Sequence, residues 1–176
     1  MAALRPAVFL DRDGTLNRLP PLGEYVADPH ELELLEGVVD AVRLLRSTGY
    51  ACVVVSNQRG VALGRMSEEA LNAVDARLRE LVELDGTYYC THHLDAGCGC
   101  RKPAPGLLLR AADDLALDLG SSVIIGDSPG DVEAGRRAGC RGIRVEPRAG
   151  QLLLAARGLA GDASLMLSEA LVEAAL

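Results

Sequence analysis

The chain has 176 residues, 49% of them hydrophobic, which suits one domain with a full core and is cramped for two independent ones. The formal net charge of −7 argues against general nucleic-acid binding, because phosphate backbones need a basic face. No run of about 18 apolar residues or apolar N-terminal leader is present, so we expect a soluble, cytoplasmic protein that does not act at membranes. A single domain over residues 1–176 and a monomer are the default expectations.

Apolar runs alternate with helical periodicities along the chain. Strands are predicted at residues 6–11, 51–55, 86–90, 123–127 and 142–146. Helices are predicted from Val38 to a stop at Gly49, from a cap at Ser67 to about Leu84, over 107–117 and 131–138, with one or two more in the Leu/Ala-rich tail. This alternation predicts βαβ units and therefore an α/β fold with a doubly wound parallel sheet.

The spacing between strands also predicts how open the functional face is. Because a single helix fits between the first two strands, the chain has no room there for an inserted cap domain. We expect an open face at the carboxyl ends of the strands, bordered by three loops at residues 17–30, 58–66 and 91–105.

Polar side chains follow three of the predicted strands. They are Asp11 and Asp13 after the first, Ser56 and Asn57 after the second, and Asp127 with Asp131 after the fourth. Carboxylates gathered at one sheet edge repel one another unless a cation lies between them, and an open set of oxygen ligands suits Mg²⁺. A metal, a hydroxyl and a free carboxylate in one place favour phosphoryl transfer, whose transition state needs positioning and charge neutralisation.

Lys102 is unusual because it is the one lysine in a chain with 17 arginines. A bias toward Arg accounts for the general pattern, and a lone Lys could fall on any surface loop. Lys and Arg differ, however, where a compact ammonium must meet a phosphate oxygen or a carboxylate in a tight site. Lys102 is therefore a candidate to join the carboxylates.

These segments, taken in order, resemble the four motifs of the haloacid-dehalogenase (HAD) superfamily. The matching segments are Asp11-Arg12-Asp13-Gly14-Thr15, Ser56-Asn57-Gln58, Lys102-Pro103 and Gly126-Asp127-Ser128-Pro129-Gly130-Asp131. The resemblance implies a nucleophilic Asp11 that forms an aspartyl-phosphate, and an Asp13 that protonates the leaving alkoxide and later takes a proton from water. The second Asp favours a phosphatase over a dehalogenase.

The same resemblance implies the remaining roles. Ser56 and the Asn57 amide would hold the phosphoryl oxygens, and Lys102 would neutralise the charge that builds on them. Asp11, the backbone carbonyl of Asp13 and Asp127 would bind Mg²⁺. Asp131 would support either the metal or Lys102.

A second metal is predicted in the loop at residues 90–100. Three thiols and an imidazole at short spacing, Cys90, His92, Cys98 and Cys100, match a closed tetrahedral Zn²⁺ site, whereas disulfides are improbable in a cytosolic chain. His92 is preferred to His93 because its C-x-H spacing resembles the family pattern. With four protein ligands this zinc is expected to be structural and to pin the loop that carries Arg101 and Lys102. Outside that loop, Cys52 and Cys140 are interpreted as core residues and His30 as a surface residue.

A capless core with a zinc loop before Arg101 and Lys102 is similar to one group of the superfamily, which contains heptose-1,7-bisphosphate 7-phosphatases and histidinol-phosphate phosphatases. The segments at residues 25–26, 36–38, 57–62 and 88–90 favour the heptose group, and histidinol phosphate or another small sugar phosphate is the alternative. Two departures stand out: Leu63 replaces an Arg usual in the heptose group, and Arg59 replaces a small residue.

Arg59 therefore either supplies the missing charge to a second phosphate or is a plain loop residue. Arg101, beside the zinc ligands, is the better candidate for the distal phosphate or the sugar. A catalytically inactive binding protein stabilised by zinc is a distant alternative from a different functional class. A protein that only binds would not need the whole set of acids together with Lys102.

Overall fold

The computed structural model describes residues 4–161 and contains one sheet of five parallel strands. The strands are β1 (Ala7–Leu10), β2 (Ala51–Asn57), β3 (Gly86–Cys90), β4 (Val123–Gly126) and β5 (Arg141–Arg144). Their order across the sheet is β3-β2-β1-β4-β5, so β1 lies in the centre. The helices are α1 (Val38–Ser47), α2 (Glu68–Leu81), α3 (Gly106–Leu115), α4 (Pro129–Ala138) and α5 (Gln151–Leu159).

The two faces of the sheet form two separate hydrophobic cores. Alternate residues of β1 point to opposite sides: Val8 and Leu10 pack with α1, α2 and α5, whereas Ala7 and Phe9 pack with α3 and α4. All four of these β1 side chains are completely buried, as expected for a central parallel strand covered on both faces. The predicted doubly wound α/β fold is confirmed.

Local backbone chemistry explains where the helix boundaries differ from the predicted ones. The α2 helix has the predicted Ser67 cap, whose hydroxyl accepts from the Ala70 N–H at 3.1 Å, but it ends at Leu81 because Val82 is already extended. The α4 helix begins at Pro129, two residues before the predicted start, since Ser128 is the N-cap and proline is favoured in a first turn. The α3 and β5 boundaries differ from the predicted ones by one or two residues.

Within residues 4–161, no helix is both long and apolar enough to cross a membrane. The α5 helix accounts for one helix of the predicted Leu/Ala-rich tail, and a second one would lie outside the described residues. The domain prediction for residues 1–176 likewise extends beyond them.

The parallel arrangement brings the carboxyl ends of the strands to one edge. Glycine permits close approach there: a Cβ on Gly126 would lie 2.3 Å from the Asp131 Cγ, and a Cβ on Gly14 would lie 2.5 Å from the Asp127 Oδ2. Gly14 also has a φ of +84°, in the left-handed region that favours glycine. The turn after β1 can therefore lie directly against the acidic residues after β4.

Candidate active site and metal centre

Three carboxylates meet at this edge of the sheet. Asp11 follows β1, Asp127 follows β4, and Asp131 lies in the first turn of α4; each offers an oxygen within 4.8 Å of the others. Sequence reasoning placed them together because all three come after buried strands, and the structure brings them together.

Lys102 reaches this carboxylate cluster from the loop before α3. Its Nζ lies 2.9 Å from the Asp11 Oδ1 and 2.5 Å from the Asp131 Oδ1, and the side chain is 3% exposed. Both contacts are ion pairs between the ammonium and a carboxylate. The other oxygen of Asp131 accepts from the N–H and hydroxyl of Ser128. Since both its oxygens are engaged, Asp131 is placed to hold Lys102 and to cap α4.

The electrostatics of the cluster follow from crowding and burial. Burial raises the pKa of Asp11, and although Lys102 opposes the shift, Asp131 adds to it. Burial, followed by the charges of Asp11 and Asp131, raises the pKa of Asp127 to about 6. Burial alone would lower the pKa of Lys102, but the charges of Asp11 and Asp131 outweigh it and raise that pKa.

The donor set of the cluster fits a divalent cation. Burial is the main cause of the raised pKa values of Asp11 and Asp127, and the surplus of negative charge from three carboxylates and one ammonium adds to it. Oxygen donors at an open edge suit Mg²⁺, which keeps several waters and a few carboxylate ligands. Asp11 and Asp127 are the oxygens best placed for such an ion, because Asp131 is committed to Lys102.

Ser56 and Asn57 end β2 beside these groups. Ser56 is buried, and its hydroxyl works against the burial that raises the pKa of Asp11. The Asn57 side chain instead binds the backbone of Lys102: its Nδ2 donates to the Lys102 carbonyl at 3.0 Å, and its Oδ1 accepts from the Lys102 N–H at 3.1 Å. A phosphoryl contact from residue 57 would therefore come from its backbone amide, while its side chain positions Lys102.

The carboxylate of Asp13 is bound by three buried polar side chains. Arg12 binds both of its oxygens, Asn17 Nδ2 donates to Oδ1 at 2.9 Å, and Gln58 Nε2 donates to Oδ2 at 2.8 Å. A metal contact from Asp13 would thus use its backbone carbonyl. Sequence reasoning assigned no role to Arg12, Asn17 or Gln58, although Arg12 and Gln58 lie inside the matched motifs.

The two arginines singled out from the sequence lie in the bordering loops. Arg59 Nε donates to the Tyr25 hydroxyl at 3.4 Å, which ties the loop at residues 58–66 to the loop at residues 17–30. Arg101 has a buried Nη1 that donates to no atom of residues 4–161. Leu63 is 40% exposed and offers no charge. Arg101 therefore has unused donor capacity close to Lys102.

The predicted zinc ligands form a compact cluster at the end of β3. Cys90 Sγ lies 3.6 Å from His92 Nδ1 and 3.7 Å from Cys98 Sγ, and His92 Nδ1 lies 3.2 Å from Cys100 Sγ. Tetrahedral zinc with the usual bond lengths has ligand–ligand edges of roughly 3.5–3.8 Å. The thiols and the His92 Nδ1 are thus close to the arrangement that Zn²⁺ requires.

Backbone groups also favour a thiolate in this zinc loop. Burial opposes ionisation of Cys98, but N–H groups of Arg101 and Cys100 and the neighbouring thiols outweigh it and lower the pKa of Cys98 to about 7. His93, by contrast, lies outside the cluster and pairs with Asp95 at 3.2 Å. The structure thus groups His92, the preferred ligand, with the three thiols.

The other cysteines and His30 also lie where the sequence placed them. Cys52 and Cys140 belong to opposite faces of the hydrophobic core, and burial raises their pKa values to about 12 and about 11. His30 is exposed. The interpretation of the two cysteines as core residues and of His30 as a surface residue is confirmed.

Comparison with known proteins gives a consistent result. A family model described as HAD-hydrolase-like matches residues 99–149. The D-glycero-β-D-manno-heptose-1,7-bisphosphate 7-phosphatase of Vibrio cholerae serotype O1 is 40% identical over 159 residues, covering 84% of this chain and 83% of that protein. The enzyme of the same name from Escherichia coli K12 is also 40% identical, over 86% of this chain and 83% of its own.

A solved structure agrees with these relatives. The D,D-heptose 1,7-bisphosphate phosphatase from B. bronchiseptica, in complex with magnesium and phosphate, superposes with a TM-score of 0.75 at 32% identity. The alignment covers 94% of this chain and 99% of that one. Sequence and fold therefore point to the same group of proteins.

Proposed function

Because this chain belongs to the family of HAD-like phosphatases that includes the D-glycero-β-D-manno-heptose-1,7-bisphosphate 7-phosphatases, we propose that it hydrolyses the 7-phosphate of that heptose bisphosphate. Mg²⁺ is the proposed catalytic metal and Zn²⁺ the structural one. The observation that carries the proposal is the buried Lys102, held between Asp11 and Asp131 where a transferring phosphoryl group would sit.

In the proposed first step, a carboxylate oxygen of Asp11 attacks the phosphorus and the bond to the sugar oxygen breaks. Asp13 gives its proton to the leaving alkoxide, so the products are the sugar alcohol and an aspartyl-phosphate. Asp11 is suited to attack because the Arg12 N–H and the Lys102 ammonium both contact its Oδ1, at 2.8 Å and 2.9 Å, and fix the direction of the carboxylate.

In the proposed second step, water attacks the same phosphorus and Asp13 takes its proton. Inorganic phosphate leaves and Asp11 is regenerated as a carboxylate. Ser56 and the Asn57 backbone amide would bind the phosphoryl oxygens, while Lys102 offsets their charge. Mg²⁺, held by Asp11, Asp127 and the Asp13 carbonyl, would supply further charge neutralisation when bound.

The second phosphate of the substrate needs a partner outside this centre. We propose Arg101, whose buried Nη1 has donors to spare and whose backbone lies next to the zinc ligand Cys100. Arg59 is held by Tyr25 in the neighbouring loop and is proposed as a weaker contributor. Action as a cytoplasmic monomer stays a prediction from the sequence.

The test compares kcat/KM for the heptose 1,7-bisphosphate, histidinol phosphate and simple sugar phosphates, with and without Mg²⁺. We expect at least about a tenfold preference for the heptose bisphosphate, and phosphorus NMR should identify a product that keeps its 1-phosphate. Asp11→Asn should abolish turnover on every substrate, because the amide cannot form the acyl phosphate.

Other outcomes would change the assignment. A preference for histidinol phosphate would overturn the proposed substrate while leaving the phosphatase reaction intact. Absence of Mg²⁺-dependent phosphate release from any of these compounds, and from an aryl phosphate, would overturn the reaction and favour a zinc-stapled binding protein.

A further inference from the structure

The carboxylate of Asp13 is enclosed by donors from three side chains that are themselves fully buried. Arg12 contributes Nε at 3.1 Å and an Nη2 that lies 3.0 Å from each oxygen, in addition to the Asn17 and Gln58 contacts. Arg12, Asn17 and Gln58 are each 0% exposed. Because a carboxylate accepts along defined lone-pair directions, these donors fix the direction of the Asp13 carboxylate.

Gln58 differs from the other two partners because it connects Asp13 to the phosphoryl-binding side of the site. Its Oε1 accepts from Arg12 Nη2 at 3.1 Å, and its Nε2 donates both to Asp13 and, at 3.2 Å, to Ser56 Oγ. Ser56 in turn lies at the end of β2, next to β1, the strand that Asp11 follows. Hydrogen bonds through Gln58 therefore join Asp13 to Ser56.

We propose that Gln58 is a positioning residue that sets the place of the Asp13 carboxylate relative to Ser56 and Asp11. The inference rests on the proposed function, in which Asp13 serves the leaving group while Ser56 binds the phosphoryl oxygens. Arg12 fixes the orientation of the Gln58 carboxamide, since a guanidinium can donate only to its oxygen and thereby directs the NH₂ group toward Asp13 and Ser56.

The prediction concerns the dependence of the rate on the leaving group. An alkoxide leaving group needs a proton from Asp13, whereas 2,4-dinitrophenolate leaves without one. With kcat/KM as the measure, Gln58→Met should lose about 100-fold on a sugar phosphate and less than about threefold on 2,4-dinitrophenyl phosphate, because a displaced acid matters only for the basic leaving group.

Ser56→Ala is the matched comparison, because the Ser56 hydroxyl accepts from Gln58. Its loss should be similar on both substrates, because a phosphoryl contact serves them equally. Asp13→Ala removes the proton donor itself and should therefore show the largest difference between the losses of kcat/KM on the two substrates. A crystal structure of the Gln58→Met protein should place the Asp13 carboxylate away from Ser56, which is a readout independent of activity.

Gln58→Leu is a second variant that guards against failure to fold, since it fills much of the same buried space and removes the donor to Asp13 without adding a charge. This variant, too, should lose more kcat/KM on the sugar phosphate than on 2,4-dinitrophenyl phosphate. Equal losses on both substrates in whichever Gln58 variant folds would overturn the positioning role. If neither variant folds, Asn17→Ala is the deciding variant. A loss of kcat/KM that is larger on the sugar phosphate than on 2,4-dinitrophenyl phosphate would support positioning of Asp13 by its buried partners. Equal losses on the two substrates would overturn it.

The wild-type protein separates this inference from the proposed function. A wild type that hydrolyses neither substrate contradicts the phosphatase assignment. A wild type that hydrolyses both, with a Gln58 variant that shows no divergence, contradicts only the positioning role.

Discussion

At the scale of single residues, the site depends on charges that are almost entirely removed from water. The side chains of Arg12, Lys102 and Asp131 are 0%, 3% and 1% exposed, and each has a partner of opposite charge. Removal of one member of such a pair leaves an uncompensated buried charge, which is strongly destabilising. These residues therefore tolerate change less well than the many exposed ion pairs on the helices, which contribute little each.

Lys102→Arg should lose nearly all turnover although the charge is kept. The compact ammonium contacts two carboxylates in a buried space, and the broad planar guanidinium cannot occupy it in the same way. Loss of a positioned donor to the transition state commonly costs about 10²–10³-fold in kcat. Steady-state kinetics with a sugar phosphate is the measurement.

Arg141→Lys, an exchange between the same residue types on an exposed strand position, serves as the control and should leave kcat unchanged. Activity of the Lys102→Arg protein within about twofold of the wild type would contradict the argument from side-chain shape.

At the scale of elements, the predicted zinc loop and the start of α3 together hold Lys102, the proposed catalytic lysine. The Gly106 N–H at the start of α3 donates to the Gly99 carbonyl at 3.0 Å, and a Cβ on Gly106 would lie 2.3 Å from that oxygen. From the other side, the Asn57 side chain holds the backbone of Lys102. The lysine is thus fixed between β2 and a loop that the metal would close.

Cys98→Ser should lower zinc content, melting temperature and kcat together. Structural zinc sites contribute folding free energy, so a missing thiolate loosens the loop that carries Arg101 and Lys102. Elemental analysis, thermal unfolding and phosphate release measure the three effects. Cys140→Ala, which changes a core cysteine outside the cluster, should keep its full zinc content.

One result would contradict the prediction that zinc helps to position Lys102. If the Cys98→Ser protein kept both its melting temperature and its rate, the metal would have no part in placing the lysine.

At the scale of the whole molecule, one carboxylate joins three distant segments. Asp85 accepts from the Cys52 N–H of β2 at 2.9 Å and pairs with Arg46 of α1 and with Arg5 ahead of β1. Burial alone would raise the pKa of Asp85, but the Cys52 N–H and the two guanidinium groups outweigh it and hold that pKa below its ordinary value of 3.8.

The sign of the pH dependence follows from the lowered pKa. A carboxylate whose pKa is lower in the folded state stabilises the fold above its unfolded pKa, and that contribution disappears as the pH falls through the folded value. Asp85→Asn should therefore reduce the free energy of unfolding by about 1 kcal/mol at pH 7, after allowance for solvent screening, and by much less below pH ~3.

Urea unfolding across this pH range measures the difference between the two proteins. Asp113→Asn, at an exposed position of α3, is the control and should leave the free energy of unfolding unchanged at every pH. A difference for Asp85→Asn that stays constant from pH 7 to pH 3 would show that the charge of Asp85 is not the cause.

The sequence alone determined the sheet and the composition of the candidate centre. Buried parallel strands need uninterrupted apolar runs, so Asp11, Ser56 and Asp127 were assigned to one edge from order alone, and four closely spaced thiol and imidazole groups defined the metal loop. Both signals can be read from residues that are close together in the chain.

Only the tertiary structure decided the direction of each side chain. It assigned Asp131 to Lys102, turned the Asn57 carboxamide to the backbone of that lysine, and surrounded Asp13 with Arg12 and Gln58. Such contacts join residues up to 46 positions apart. They depend on which strands lie side by side and on which donors are removed from water, and no spacing within one segment encodes either.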